Sequence, residues 1–203
     1  MKTYILTSFA MANHGANFAH WLRDRLMKHY QLNHVNAVYV DSVVARSGNT
    51  LHAMSFDMGA QAPNGVARVF PDMRPHMKSE TGANPIGAMR SDWDELYTRA
   101  MSEADVMLFA YTVEYDQSQW CMQEWQQFHA ENVRRRNAKL PILRGVVLQF
   151  HNANNLIDIN QTHISRVPVV KTDGGCQGLA WDKGDFILNP SDFSRVTAAI
   201  GKL

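Results

Sequence analysis

The run Asp105 to Tyr111, DVMLFAY, constrains the fold more than any other stretch of the chain. After its leading aspartate every side chain is apolar or aromatic, so neither face of such a strand can be left in water. That is the composition of a central strand in a parallel sheet covered on both sides. The surrounding sequence agrees, because short β-branched or aromatic runs alternate with longer segments of helical period. An α/β class follows.

Tyr4 to Phe9 (YILTSF) reads as the first strand, and Ala16 to Tyr30 as a helix with Phe18, Trp21, Leu22, Leu26 and Tyr30 on one stripe. Ala37 to Asp41 (AVYVD) is a second strand. Residues 42 to 90 break the rhythm with Gly, Pro, Asn and scattered Met, and read as a long insertion within one domain spanning 1–203. Ser91 is the expected N-cap of the next helix, with Asp92, Asp94 and Glu95 at its positive end. Trp93, Leu96, Tyr97, Ala100, Met101 and Ala104 supply its apolar face. A loop over 112–116 leads to a helix ending in Arg134, Arg135, Arg136 and Lys139, a cluster read as a solvated face that complements the helix C-terminus. Ile142 to Phe150 is a fourth strand. Asn152, Asn154, Asn155 and Asn160 mark a polar connection to a short fifth strand, Val167 to Lys171, and Ser191 caps a last helix through Val196 and Ile200.

Bulk properties exclude several function classes. The 203 residues carry 20 basic and 19 acidic side chains, a formal charge of +1, so no global field draws the protein to nucleic acid or to a membrane surface. No apolar run approaches the roughly 18 residues that span a bilayer. Cys121 and Cys176 are the only cysteines and lie far apart, and the chain opens on a strand-like segment, so a reducing cytoplasm is the expected location. Nine histidines form no paired signature with ligand spacing; His76 and Glu80, the nearest approach, sit in a Pro-rich stretch, and no metal is expected.

Within the quoted helix, SQWCMQEW places Glu124 among apolar neighbours. At about 100° per residue, Trp120, Cys121 and Phe128 fall on one arc and Glu124 projects between Trp120 and Phe128. Gln119, Gln123, Gln126 and Gln127 take much of the other side. A capping box fails, because caps at Ser118 or Asp116 put Cys121 or Gln119 at the third helical position. An intrahelical ion pair fails too, since the positions three and four away hold Trp120, Cys121, Gln127 and Phe128. A tertiary salt bridge or a snorkelling side chain stays open as a structural explanation. So does a functional one: Glu124 follows the strand 105–111, and ligands of parallel α/β sheets bind outside the carboxyl ends of the strands. The loop after the first strand, SFAMANHGAN from Ser8 to Asn17, brings hydroxyl, amide and aromatic groups, Ser8, Phe9 and Asn13 among them, to a helix N-terminus of the kind that can hold phosphate.

These residues resemble the Toll/interleukin-1 receptor (TIR) domain family. LYTRAMSEADVMLFAYTVEYDQSQWCMQEW, which ends at Trp125, is similar to the TIR pattern of an alanine-and-serine helix, a buried strand, a Tyr and Ser loop and then Trp-Cys-x-x-Glu. The strand with Ser8 and Phe9 resembles the family's first strand and loop, and AVYVD its second strand. The stretch 42–90 is much longer than the usual loop there. The resemblance implies a flavodoxin-like sheet of five parallel strands in the order 2-1-3-4-5, with helices on both faces. It also implies one of two roles: signalling scaffold, or enzyme that cleaves NAD at the nicotinamide to ribose bond with a glutamate aligning with Glu124. On the enzymatic reading Glu124 is the catalytic residue, while Ser8, Phe9, Asn13 and Trp120 contact the substrate; for Trp120 by itself, packing in the core is the simpler expectation. Cys121 reads as a small buried hydrophobe.

NAD is then substrate and no resident cofactor is expected. The products would be nicotinamide and ADP-ribose, or a cyclic ADP-ribose-type signal for a downstream effector, as in the stand-alone bacterial TIR proteins of Thoeris-type antiphage defence that the chain resembles. Self-association through TIR contacts belongs to the same expectation. Two other functions compete: a nucleoside deoxyribosyltransferase-like enzyme, which also sets a glutamate on a ribose, and a non-catalytic TIR adaptor.

Overall fold

The computed structural model describes residues 2–10, 15–33, 37–40, 93–150, 155–169, 181–182, 185–186 and 188–203. In chain order the elements are β1 (Ile5–Phe9), α1 (Gly15–His29), β2 (Val38–Tyr39), α2 (Trp93–Glu103), β3 (Val106–Tyr111), α3 (Val113–Asp116), α4 (Gln119–Asn137), β4 (Arg144–Gln149), β5 (Ile164–Pro168), β6 (Trp181–Asp182), β7 (Asp185–Phe186) and α5 (Pro190–Ile200). The first five strands form one all-parallel sheet in the order β2-β1-β3-β4-β5; β6 and β7 pair separately as an antiparallel ribbon. Among the described residues, no helix is long and apolar enough to cross a membrane. The 42–90 insertion, Ser91, Asp92, Asn13 and Cys176 lie outside the described residues.

The DVMLFAY run sits where its composition requires. All six residues of β3 are buried, between β1 and β4. At the edge, β5 keeps only Ile164 and Val167 buried, one on each face of the strand. Side-chain alternation then sorts the helices. Phe109 of β3 meets Trp125 and Phe128 of α4 at ring distances of 4.8 and 5.3 Å, and Tyr39 of β2 meets Tyr97 of α2 at 6.2 Å. Those residues lie on one face. On the other, Phe18 of α1 packs edge-on against Phe150, and Arg144 of β4 donates to the Ile200 carbonyl of α5 at 2.7 Å. Gly145 is a packing requirement of the first face: a Cβ there would lie 3.0 Å from the Phe128 ring and 3.3 Å from Ile164.

Several expectations are corrected. The fifth strand is Ile164–Pro168, because its register is fixed by pairing Gly145 with Ile164 through Gln149 with Pro168. Sequence pattern favoured the β-branched run a few residues later, but pairing with β4 decides. Asn189, rather than Ser191, caps α5: its side chain accepts from the Asp192 amide at 2.9 Å, and Pro190 takes the first turn, where a missing N–H costs nothing. The 112–116 loop contains α3, capped by Thr112, whose Oγ1 accepts from the Tyr115 amide at 3.2 Å.

The arginine cluster is not uniformly solvated. Arg134 and Arg136 are exposed, but Arg135 is buried at 5 % exposure. Its guanidinium donates to the carbonyls of Met101, Ser102 and Ala104 at 2.8, 3.1 and 2.8 Å and to Pro141 at 3.2 Å, with Glu131 as its ion partner at 2.7 Å. Orphan carbonyls at the end of α2 are thereby satisfied by a side chain of α4. Asn132 does the same for the chain entering β4, exchanging two bonds with the Leu143 backbone at 3.0 and 2.8 Å. The far half of α4 is thus pinned to α2 and β4, which fixes where its first turns lie.

Candidate functional site

Between β1 and β3 the chain's direction of travel across the sheet reverses, and the carboxyl ends of these two strands border the crevice in which parallel α/β folds bind ligands. Ser8, next to last in β1 and 1 % exposed, points from that edge toward α4. Tyr115 of α3 and Glu124 of α4 converge on it. The Ser8 hydroxyl donates to Glu124 Oε2 and lies 2.8 Å from the Tyr115 hydroxyl, which in turn donates to the Cys121 carbonyl at 2.9 Å. Two residues from opposite halves of the chain therefore meet in a direct hydrogen bond.

Local sequence explains each placement. Ser118 is the N-cap of α4, accepting from the Cys121 amide at 3.3 Å. With Ser118 as cap, the third helical position is Cys121, so Glu124 has no capping duty. The stripe of α4 that enters the core is Cys121, Trp125, Phe128, Asn132 and Arg135. Glu124 borders this stripe and is half-buried, while Trp120 falls outside it at 64 % exposure. The expectation that Trp120 packs in the core is therefore corrected: Trp120 lies off the buried stripe, although Cys121 of the same turn belongs to it, and Trp125, which the arc drawn through Trp120 passed over, fills the core instead. Its indole donates to the Ile157 carbonyl at 2.9 Å.

Phe9 ends the same strand as Ser8 but alternation turns its side chain to the opposite face, where it joins the core at 8 % exposure. It is not brought together with Glu124. Asn13 belongs to residues not described. Gly15, the first residue of α1, lies so close to the end of β1 that a Cβ would stand 1.7 Å from the Ala10 carbonyl oxygen. The exit of β1 is therefore held tightly beside Ser8.

Tyr115 is the residue that sequence reasoning missed. It is fully buried, and its ring lies 5.5 Å from that of Tyr111, whose hydroxyl donates to Asp116 at 2.5 Å. Asp116 also accepts from Asn155 at 2.7 Å, which ties the β4–β5 connection to this corner. The available signal was Thr112 followed by Glu114 and Asp116, a helix start with acidic residues in its first turn.

Electrostatics leave the phenols and the thiol protonated. Burial pushes Tyr115 well above the ordinary phenol value, with the Glu124 and Cys121 charges adding to it and the Ser8 bond working against it. Burial likewise pushes the Cys121 thiol up to about 12, partly offset by Ser118. A thiol held there is no nucleophile near neutral pH, in keeping with the reading of Cys121 as a small hydrophobe. Tyr111 is raised by burial and by Asp116. What the corner presents is a carboxylate at a half-open margin, oriented by a buried hydroxyl, with an indole one turn earlier on the helix.

A groove of about 540 Å³ opens at the other edge of the sheet, beside Tyr4, Tyr30 and Leu203. No acidic side chain lines it, so it offers no counterpart to Glu124. Among the described residues, no group of three or more His, Cys, Asp or Glu could hold a metal ion. The chain matches no family model, no curated protein and no solved structure.

Proposed function

We propose that the protein is an NAD-consuming enzyme of the TIR type, with a flavodoxin-like fold, that cleaves the bond between nicotinamide and ribose. One observation carries the reading: Glu124, without a capping role, reaches the carboxyl edge of the sheet at its switch point and is oriented there by Ser8. The chemistry suits a single carboxylate. Nicotinamide in NAD is a pyridinium and departs as a neutral base, so no general acid is required. The demand falls on stabilising an oxocarbenium-like sugar, which a carboxylate meets by charge and by accepting hydrogen bonds from ribose hydroxyls. Trp120 gives the departing ring a surface to stack on. Water then yields ADP-ribose, and an internal nucleophile yields a cyclic product that acts on a separate effector. Cytoplasmic antiphage defence, with TIR self-association, is the setting this reading supplies.

The test is incubation with NAD over a range of protein concentrations, with chromatography and mass spectrometry of the products. Wild type releases nicotinamide. Glu124→Gln keeps its circular dichroism and melting temperature and loses on the order of 10²–10³-fold or more in release, as expected when the main electrostatic group is neutralised. Equal turnover by the two proteins overturns the assignment. Base exchange on deoxynucleosides without loss of NAD would instead identify a deoxyribosyltransferase.

A further inference from the structure

We propose that Tyr115 is a positioning residue that acts on Glu124 through Ser8, its hydroxyl setting how strongly the serine's single proton is given to the carboxylate. The inference rests on the reading of Glu124 as the working group of the site. Its basis is an inventory of protons.

Three contacts run in series: Glu124 Oε2 to Ser8 Oγ, Ser8 Oγ to Tyr115 Oη, and Tyr115 Oη to the Cys121 carbonyl. A serine carries one O–H and a tyrosine one, while a carbonyl only accepts. With Glu124 ionised, Ser8 spends its proton on the carboxylate. The Ser8–Tyr115 contact must then be filled by the tyrosine, which turns its proton from the Cys121 carbonyl toward Ser8. A serine hydroxyl that receives a hydrogen bond is a stronger donor, because bonds in a chain polarise one another. With Glu124 protonated, the chain runs the other way, carboxyl to serine, serine to tyrosine and tyrosine to carbonyl, and the third proton fills the contact with the Cys121 carbonyl that the ionised state leaves empty. The tyrosine proton thus has two acceptors, and the charge on Glu124 selects between them.

Burial makes the device sharp. Ser8 is 1 % and Tyr115 0 % exposed, so water does not substitute for either partner. Among the described residues, Cys121 from α4 and Tyr111 from β3 bear on the chain and are both pushed upward and stay neutral near physiological pH, while Asp116 is engaged by Tyr111 and Asn155. Donation to the charged form of a carboxylate lowers its pKa. Both Ser8→Ala and Tyr115→Phe therefore raise the midpoint at which Glu124 titrates, the first by roughly one unit or more, as a hydrogen bond to a charged group is worth, and the second by less. Because the tyrosine works through the serine, Tyr115→Phe has no effect in the Ser8→Ala background.

The experiment is a carboxyl-carbon NMR titration of protein labelled at glutamate, with the Glu124 signal identified by its absence in Glu124→Gln. The wild type, both single variants and the double variant are compared, with the acid limb of NAD cleavage followed in parallel. The proposal expects a midpoint that rises in each single variant and is the same in Ser8→Ala and in the double variant. Additive shifts, or no shift in either single variant, overturn it. Replacing tyrosine throughout by 3-fluorotyrosine, a stronger donor of nearly the same size, serves as a second perturbation should Tyr115→Phe not fold: the midpoint falls, and in Ser8→Ala it stays. An unmoved midpoint with Ser8 present overturns the proposal as well. The titration is read whether or not NAD is cleaved, so loss of the enzymatic reading and loss of the relay are told apart.

Discussion

Trp120 carries its indole at 64 % exposure on the first turn of α4, one helical turn before Glu124. A tryptophan built into the core costs about 3–5 kcal/mol when cut to alanine. Here Trp120→Ala is expected to change stability by no more than about 0.5 kcal/mol, as at other surface sites. On the proposed function it also loses a stacking platform, and KM for NAD rises about fivefold, equivalent to roughly 1 kcal/mol. Thermal melts together with steady-state kinetics separate these effects, and a large drop in melting temperature would return the residue to the core. The periodicity of α4 made Glu124 legible as a misplaced carboxylate, because helical geometry alone removed capping and local pairing. It could not place Trp120, since the period does not say which side of the arc through Trp120 and Phe128 meets the sheet, and the buried side is that of Cys121 and Trp125. Tyr115 stayed hidden because its neighbours read as a loop, and its importance comes from a strand 107 positions away.

At the scale of elements, strand and helix assignments succeeded where burial and period coincide, as in β3 and α4, and slipped where pairing or capping decides, as in β5 and α5. Arg135 shows what remained readable in principle. It continues the stripe Cys121, Trp125, Phe128, Asn132, yet charge type argued for solvent and the buried carbonyls awaiting it belong to another helix. Arg135→Met is expected to cost about 3 kcal/mol, because it strands the α2 carbonyls and removes one partner of a buried ion pair. For a chain of this size that is a fall of about 6–12 °C in melting temperature. Glu131 keeps its bond to Arg134, so the loss is read at α2, as faster amide exchange near Ala104. A fall below about 2 °C would show that the guanidinium is dispensable there.

Over the whole molecule, a pair of half-buried histidines and a buried aspartate respond to acid in opposite senses. Burial depresses His129 and His163 below their ordinary 6.5, and the Nε2 of each is enclosed without a hydrogen-bond partner. The unfolded chain takes up those protons first, so their contribution is whole above pH 6.5 and is lost as pH falls from 6.5 through the depressed folded values. Asp24 is the reverse. Burial raises it from 3.8 to about 6 despite Arg23, Lys28 and Arg25, so its contribution is whole below 3.8 and is lost as pH rises through about 6. Asp24→Asn is therefore expected to raise the melting temperature near pH 8 and to leave it unchanged near pH 3.5. Replacing both histidines by glutamine flattens the acid decline below about pH 6.5. Melting curves across this range check both, and a gain from Asp24→Asn that is independent of pH would remove the carboxylate from the account. None of this was readable from composition, because a charge count does not say which charges are enclosed.

The contact between Ser8 and Glu124 spans 116 positions of sequence. Synthesis delivers the serine early and the glutamate only after β3 has emerged, and the loop between them must close before β1 can find its central neighbour. Neither a nascent chain nor a fragment holding one partner contains the corner where they meet. On the proposed function, a copy that lacks either partner does not cleave NAD, and turnover reports that β1 and β3 have paired.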